Sequence, residues 1–218
     1  MPLATPTVFV VDDDASVRKA LSRLLASVGI RVEAFSSAAD FLTRAPHGEH
    51  GCILLDVKMP AMTGLELQRL LLDAAIEMPV IFVSAHVDIP LTVRAMKDGA
   101  FEVLTKPFQD EVLLEAVRLA LNRDERHHRD RAEMEELRRR FHTLTPKQLQ
   151  VMGMVVTGML NKQIAGVLGT SEKTVKVHRA QVVSKMRASS LPELVRMADR
   201  LGLAEANGET AETVPKVQ

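Results

Sequence analysis

The sequence predicts two domains of different class: an α/β domain built on a five-stranded, parallel, doubly wound sheet, then an all-α domain of four short helices. Three observations carry this. Five short apolar runs alternate with helical patterns over residues 7–121. Strand-like runs are then absent, and Gly, Pro and Ser/Thr punctuate helical segments over 144–204. The charge also changes sign. Residues 1–121 carry 11 Lys/Arg against 16 Asp/Glu, whereas 144–204 carry 9 against 3, inside a 218-residue chain of zero net charge. An acidic half followed by a basic half points to a metal or phosphoryl donor for the first and a polyanion for the second.

The apolar runs are Thr7–Val11, Val32–Phe35, Cys52–Leu55, Pro79–Val83 and Phe101–Thr105, aliphatic or β-branched and of strand length. The first intervening helix places Val17, Leu21, Leu24, Leu25 and Val28 on one face and closes at Gly29. Further helices are expected near 37–44, 64–75, 89–98 and from Asp110 onward. Short loops between strand and helix argue for parallel strands covered on both faces. From Asp110 no Gly or Pro intervenes until Pro146, and the composition beyond Asn122 becomes charged. We expect a first domain over 1–121, an exposed helical linker over 122–143, a second domain over 144–204, and a disordered polar tail over 205–218. Adjacent His127 and His128 point to different helix faces, and solvated surface is the expectation for both. In the second domain Thr145 caps a helix whose first residue is Pro146. A helix over 161–168 stops at Gly169, Ser171 caps a third, and a fourth runs from Leu191 to Leu201.

Composition excludes several classes. No run approaches 18 apolar residues, so no transmembrane helix is expected. Residues 1–7 lack the pattern of a signal peptide. The single Cys52 rules out an intramolecular disulfide and fits a reducing, cytoplasmic location.

In a doubly wound sheet, ligands bind beyond the carboxyl ends of the strands. Those ends carry Asp12, Asp13 and Asp14, then Asp56, Ser84 and Lys106. Carboxylates converging there repel one another, and an all-oxygen set suits Mg2+. In the second half, two short helices around the turn at Gly169 form a helix-turn-helix, whose second helix enters the major groove. Lys173, Lys176, Val177, Arg179 and Ala180 lie on its outward side with His178 nearby, offering donors for base edges and small apolar groups for the thymine methyl.

The stretches Val10-Val11-Asp12-Asp13-Asp14, Leu54-Leu55-Asp56-Val57-Lys58-Met59-Pro60, Val83-Ser84-Ala85-His86 and Lys106-Pro107-Phe108 resemble the flavodoxin-like receiver domain of two-component response regulators, and more narrowly its FixJ branch. Leu144-Thr145-Pro146, the run from Gly158 to Ala165 and the run from Ser171 to Arg179 resemble the LuxR/NarL-type DNA-binding domain. The resemblance implies a transcription factor switched by a sensor histidine kinase, acting on promoter DNA as a phosphorylation-dependent homodimer, with no membrane role and no turnover beyond self-phosphorylation and slow self-dephosphorylation. Asp56 would accept the phosphoryl group. Asp13, Asp56 and the backbone carbonyl of Lys58 would ligate Mg2+, for which Mn2+ can substitute, and Asp12 would act mainly through a coordinated water. Lys106 and Ser84 would bond phosphoryl oxygens, Asp14 would only cap a helix, and the Lys106–Pro107 bond would be cis. Lys176, Val177 and Ala180 would face base edges, with Asn161, Lys162, Thr174, His178 and Arg179 on the phosphate backbone.

Two departures stand out. Val103 replaces the usual aromatic residue of the fifth strand, with Phe101 expected on the same face, so no aromatic rotamer can switch there. Gln148 replaces a usual Glu, weakening an internal ion pair. Lys58 and His86 would border the phosphoryl group and tune its lifetime. A Mg2+-dependent phosphohydrolase is the competing enzymatic reading, and it lacks a carboxylate at position 58. A constitutive DNA binder that is never phosphorylated is the third.

Overall fold

The computed structural model describes residues 5–44, 49–85 and 89–203. The chain divides into two compact units, 1–129 and 130–218. His86 and the expected tail lie outside the described residues.

In the first unit the strands are β1 (Thr7–Val11), β2 (Arg31–Phe35), β3 (Gly51–Leu55), β4 (Val80–Ser84) and β5 (Glu102–Thr105). All pairings are parallel, in the order β2-β1-β3-β4-β5. Helices α1 (Ala15–Ser27), α2 (Ala38–Arg44), α3 (Gly64–Asp73) and α4 (Ile89–Lys97) connect them, and α5 (Asp110–His142) follows β5. Strand residues alternate between two cores. Phe9, Val11, Ile53, Leu55 and Phe82 meet α2, α3 and α4 through Phe41, Leu67 and Ala95. Val8, Val10, Cys52, Leu54 and Ile81 meet α1 and α5 through Leu25, Leu113 and Val117. The central strands β1, β3 and β4 are buried throughout, which is why they read as unbroken apolar runs.

One expectation about the fifth strand is corrected. Phe101 and Val103 do not share a face: Val103 packs in the α2–α4 core and Phe101 in the α1/α5 core. Phe101 precedes β5, outside the strand alternation, and its ring lies 5.6 Å below the Arg123 guanidinium of α5.

Helix α5 is continuous from Asp110 to His142, and the division between the units falls within it. Residues 122–128 are not simply solvated. Asp124 is buried, accepting from His50 Nδ1 (2.5 Å) and from the Gly51 amide (2.8 Å). His128, expected to be free surface, places Nε2 3.1 Å from the Glu49 carbonyl, and His127 lies 3.4 Å from Glu77.

The second unit holds α6 (Pro146–Val156), α7 (Asn161–Leu168), α8 (Glu172–Met186) and α9 (Leu191–Arg200) around a core of Val151, Met152, Ile164, Val175, Met186 and Leu194. The last turns of α5 join that core through Leu137. Thr145 and Gln148 form a reciprocal capping box at the start of α6. Gly169 takes φ +60°, a left-handed turn that glycine adopts without steric cost, and Ser171 caps α8. Gln148 is buried. It accepts from Lys185 Nζ and donates to Gln181, both at 2.9 Å, so the Lys185 ammonium bonds a neutral amide oxygen here, where a Glu would have offered a carboxylate.

Candidate phosphoacceptor site and DNA-reading helix

The sheet's topology creates the first site. The chain steps from β1 outward to β2, then returns to β3 on the opposite side of β1. Loops therefore diverge between β1 and β3, opening a crevice at their carboxyl ends. Asp12 and Asp13 leave β1 there, and Asp56 leaves β3, its amide donating to the Val11 carbonyl at 2.9 Å. Carboxylate oxygens of Asp12, Asp13 and Asp56 lie within 4.8 Å of one another, the one such group of potential metal ligands among the described residues. Ser84 ends β4 and is buried, and Lys106 directly follows β5.

Asp12 is only 2% exposed, too buried to be charged without compensation. Lys106 Nζ supplies it, donating to Asp12 Oδ2 at 2.7 Å and sitting 3.9 Å from Asp56 Oδ1. Asp12 Oδ1 accepts the Asp14 amide at 2.8 Å, and Arg18 donates to the Asp12 carbonyl at 2.7 Å. Asp56 accepts its neighbour's amide, Val57, at 2.9 Å. Burial pushes the Asp56 carboxyl above the usual range, and Asp12 and Asp13 push the same way; Lys106 and the Val57 amide act against them. Asp14 behaves differently. It is exposed, caps α1 by accepting from Ser16, and that hydrogen bonding holds its carboxyl below the usual range. The Lys106–Pro107 bond is cis. Lys58 is exposed beside the site.

Three contributors escaped the sequence reading. Gly64 opens α3 so close to the phosphoacceptor strand that an added Cβ would stand 2.2 Å from the Asp56 carbonyl oxygen. Gly51 is as constrained, with a Cβ position 2.0 Å from the Thr7 carbonyl oxygen. Arg18 needs α1 to be folded before its reach to Asp12 exists. Only the glycines left a sequence signal, as Gly before a helix or a strand, and that signal is weak.

On α8, Lys173, Thr174, Lys176, Val177 and Ala180 are exposed, and Val177 keeps 51% of its surface. Arg179 donates to Asn161 Oδ1 at 3.2 Å, tying α8 to the start of α7, where Lys162 is exposed. His178 is half-buried, with Nδ1 buried and without a hydrogen-bond partner among the described residues.

Comparison with known proteins identifies a family for each half of the chain. Residues 8–118 match the response regulator receiver domain, and residues 142–198 match the bacterial regulatory proteins of the luxR family. The chain is a response regulator with a LuxR-type DNA-binding domain. It is 45% identical over 202 residues to Nodulation protein W of Bradyrhizobium diazoefficiens, covering 93% of this chain and 89% of that protein. It is 43% identical over 192 residues to the transcriptional regulatory protein FixJ of Rhizobium meliloti, covering 88% and 94%. Among solved structures, the response regulator StyR superposes with a TM-score of 0.84 at 45% identity, covering 90% of this chain and all of that one. This response regulator thus pairs a receiver with a helix-turn-helix domain of a transcription regulator, and no described helix is long and apolar enough to cross a membrane.

Proposed function

We propose that this response regulator is a cytoplasmic transcription factor whose sequence-specific DNA binding is switched by phosphorylation of Asp56 from a partner histidine kinase. The observation that carries the reading is the convergence of Asp12, Asp13 and Asp56 around Lys106 Nζ at one crevice. Three carboxylates against one ammonium leave the crevice negative, and their all-oxygen chemistry fits a divalent cation. Asp13, Asp56 and the Lys58 carbonyl would hold Mg2+ or Mn2+, with Asp12 acting through a water. When bound, the ion supplies charge neutralisation for a phosphoryl group arriving at a carboxylate.

The protein's own groups do the rest. A carboxylate oxygen of Asp56 attacks the phosphorus of a phosphohistidine; the P–N bond breaks and the imidazole nitrogen keeps the electron pair, leaving an acyl phosphate on Asp56. Lys106 pairs with a phosphoryl oxygen and Ser84 donates its hydroxyl to another. Lys58 tunes the attack of water on the acyl phosphate. Phosphorylation reorganises α4 and β5, and two copies join through this surface. Ile89, Val93 and Met96 of α4 are 80%, 47% and 46% exposed, an apolar face suited to a symmetric contact. Dimerisation brings two α8 helices to a two-fold operator and raises affinity through effective concentration. Lys176, Val177 and Ala180 read base edges; Asn161, Lys162, Thr174, His178 and Arg179 hold the backbone, and Lys173 adds a cation on the outward side of α8.

The test is incubation with a small phosphodonor and Mg2+, followed by mapping of the phosphate and measurement of solution mass. A phosphate on Asp56 with a doubled mass is the expected result. Phosphate elsewhere, or a phosphorylated monomer, would count against the reading.

A further inference from the structure

We infer that Gln181 is a further contact to the DNA backbone, and that Gln148 is the positioning residue that makes it a donor and not an acceptor. The inference deepens the reading of α8 proposed above and rests on it. Gln181 is exposed on α8, one turn beyond Val177 and about two turns beyond Thr174 on the same side of the helix. Arg179, bonded to Asn161, lies on the other side. Beside Gln181 is an open hollow lined by Gln148, Ala180, Gln181, Ser184 and Lys185. A helix lying in the major groove turns its front to the bases and its flanks to the phosphate walls, so Gln181 continues the line that Thr174 begins.

The direction of the Gln181 amide is decided behind α8. Gln148 is 5% exposed, and its Oε1 accepts from two groups that can only donate: the Lys185 ammonium and the Thr145 amide, both at 2.9 Å. Its Nε2 must therefore face the other way, where it donates to Gln181 Oε1 at 2.9 Å. Gln181 uses its acceptor in that bond, and its Nε2 has no partner among the described residues. What it offers outward is a pair of N–H donors, the chemistry that a phosphate oxygen accepts. A Glu at position 148 would reverse this. Its carboxylate would keep Lys185 and the Thr145 amide on one oxygen and take Gln181 Nε2 on the other, turning the Gln181 oxygen outward against the phosphates. The replacement of the usual Glu by Gln148 thus has a consequence at the DNA surface.

The test uses the full chain, treated with a small phosphodonor and Mg2+, on the duplex it enriches from a random pool and on single-base variants of that duplex. Gln181→Ala should weaken binding to all of them by the same factor, about three- to tenfold for each α8 engaged. The salt dependence should stay unchanged, because a neutral donor releases no counterion. Methylphosphonate placed at one position at a time should reveal a phosphate whose replacement penalises the wild type more than Gln181→Ala. Gln148→Glu should weaken binding about as much as Gln181→Ala, and should cost less when introduced into Gln181→Ala, a coupling that the added charge alone does not produce. Should Gln148→Glu fail to fold, Gln181→Ala and the phosphate scan still decide. A wild type that enriches no duplex would overturn the DNA-reading account and this inference with it. Undiminished binding in Gln181→Ala, a loss confined to particular base pairs, no phosphate that tells the two chains apart, or an equal effect of Gln148→Glu in both backgrounds would overturn this inference alone.

Discussion

Replacing Lys106 by Met tests how the phosphoacceptor crevice is held together. Met keeps most of the side chain's length and bulk, so the change removes charge without opening a large cavity. Coulomb's law at an effective dielectric of 20 gives about 6 kcal/mol of gross attraction for Nζ at 2.7 Å from Asp12 and about 4 kcal/mol at 3.9 Å from Asp56. Desolvation of the groups offsets much of this. Removing one partner of a buried pair typically costs ~3–5 kcal/mol because the other charge is left uncompensated. Asp12 is almost fully buried, but Lys106 keeps 20% of its side-chain surface, so the lower end applies. We expect a loss of about 3 kcal/mol in the first unit without divalent metal. The chain has no Trp or Tyr, so intrinsic fluorescence is a poor probe; hydrogen exchange of β1 and β3 peptides, read by mass spectrometry, follows this unit alone. Added Mg2+ should protect the variant more than the wild type, because the cation replaces the missing positive charge. Wild-type protection without metal, or no metal dependence, would refute the reasoning.

Three further outcomes are expected. Asp56→Asn should form no acyl phosphate and, without metal, should be more stable than wild type at neutral pH. Burial raises the folded-state pKa of Asp56, so its ionisation costs stability as pH rises from the unfolded-state value through the folded one. The advantage of the variant should therefore be full above that window and vanish below it, which thermal unfolding across pH would check. Gly64→Ala should destabilise the first unit by about 3 kcal/mol and slow phosphorylation, since backbone and not a flexible side chain meets the new methyl; unchanged hydrogen exchange would contradict it. Lys176→Ala should cost about 1–3 kcal/mol and relax sequence preference, whereas Lys162→Ala should weaken binding to all sequences and flatten the salt dependence. Binding titrations on specific and scrambled duplexes at several salt concentrations separate the two.

Much of the fold was readable because of where charge abruptly follows apolar runs. Asp12, Asp56 and Lys106 each come directly after a strand buried on one or both faces, and topology then requires those ends to meet. The caps at Thr145 and Ser171 were equally plain, since each side chain accepts an amide three residues on. What escaped depends on partners distant in sequence. His50 and Asp124 are 74 positions apart, and only the folded sheet brings α5 against the start of β3. The contact of His128 with the Glu49 carbonyl is not legible in helical periodicity, which describes a helix and not what it packs against. Phe101 was placed on the wrong face because the strand was extended back one residue beyond Glu102, where the alternation does not hold.

The central claim is that a phosphoryl group on Asp56 controls what α8 does. The direct measurement is the affinity of the full chain for one operator duplex, unphosphorylated, phosphorylated in Mg2+, and as Asp56→Asn treated identically. The account predicts tighter binding only for the phosphorylated wild type, with a steeper dependence on protein concentration. Equal affinity in all three states, with phosphate present on Asp56, would contradict it.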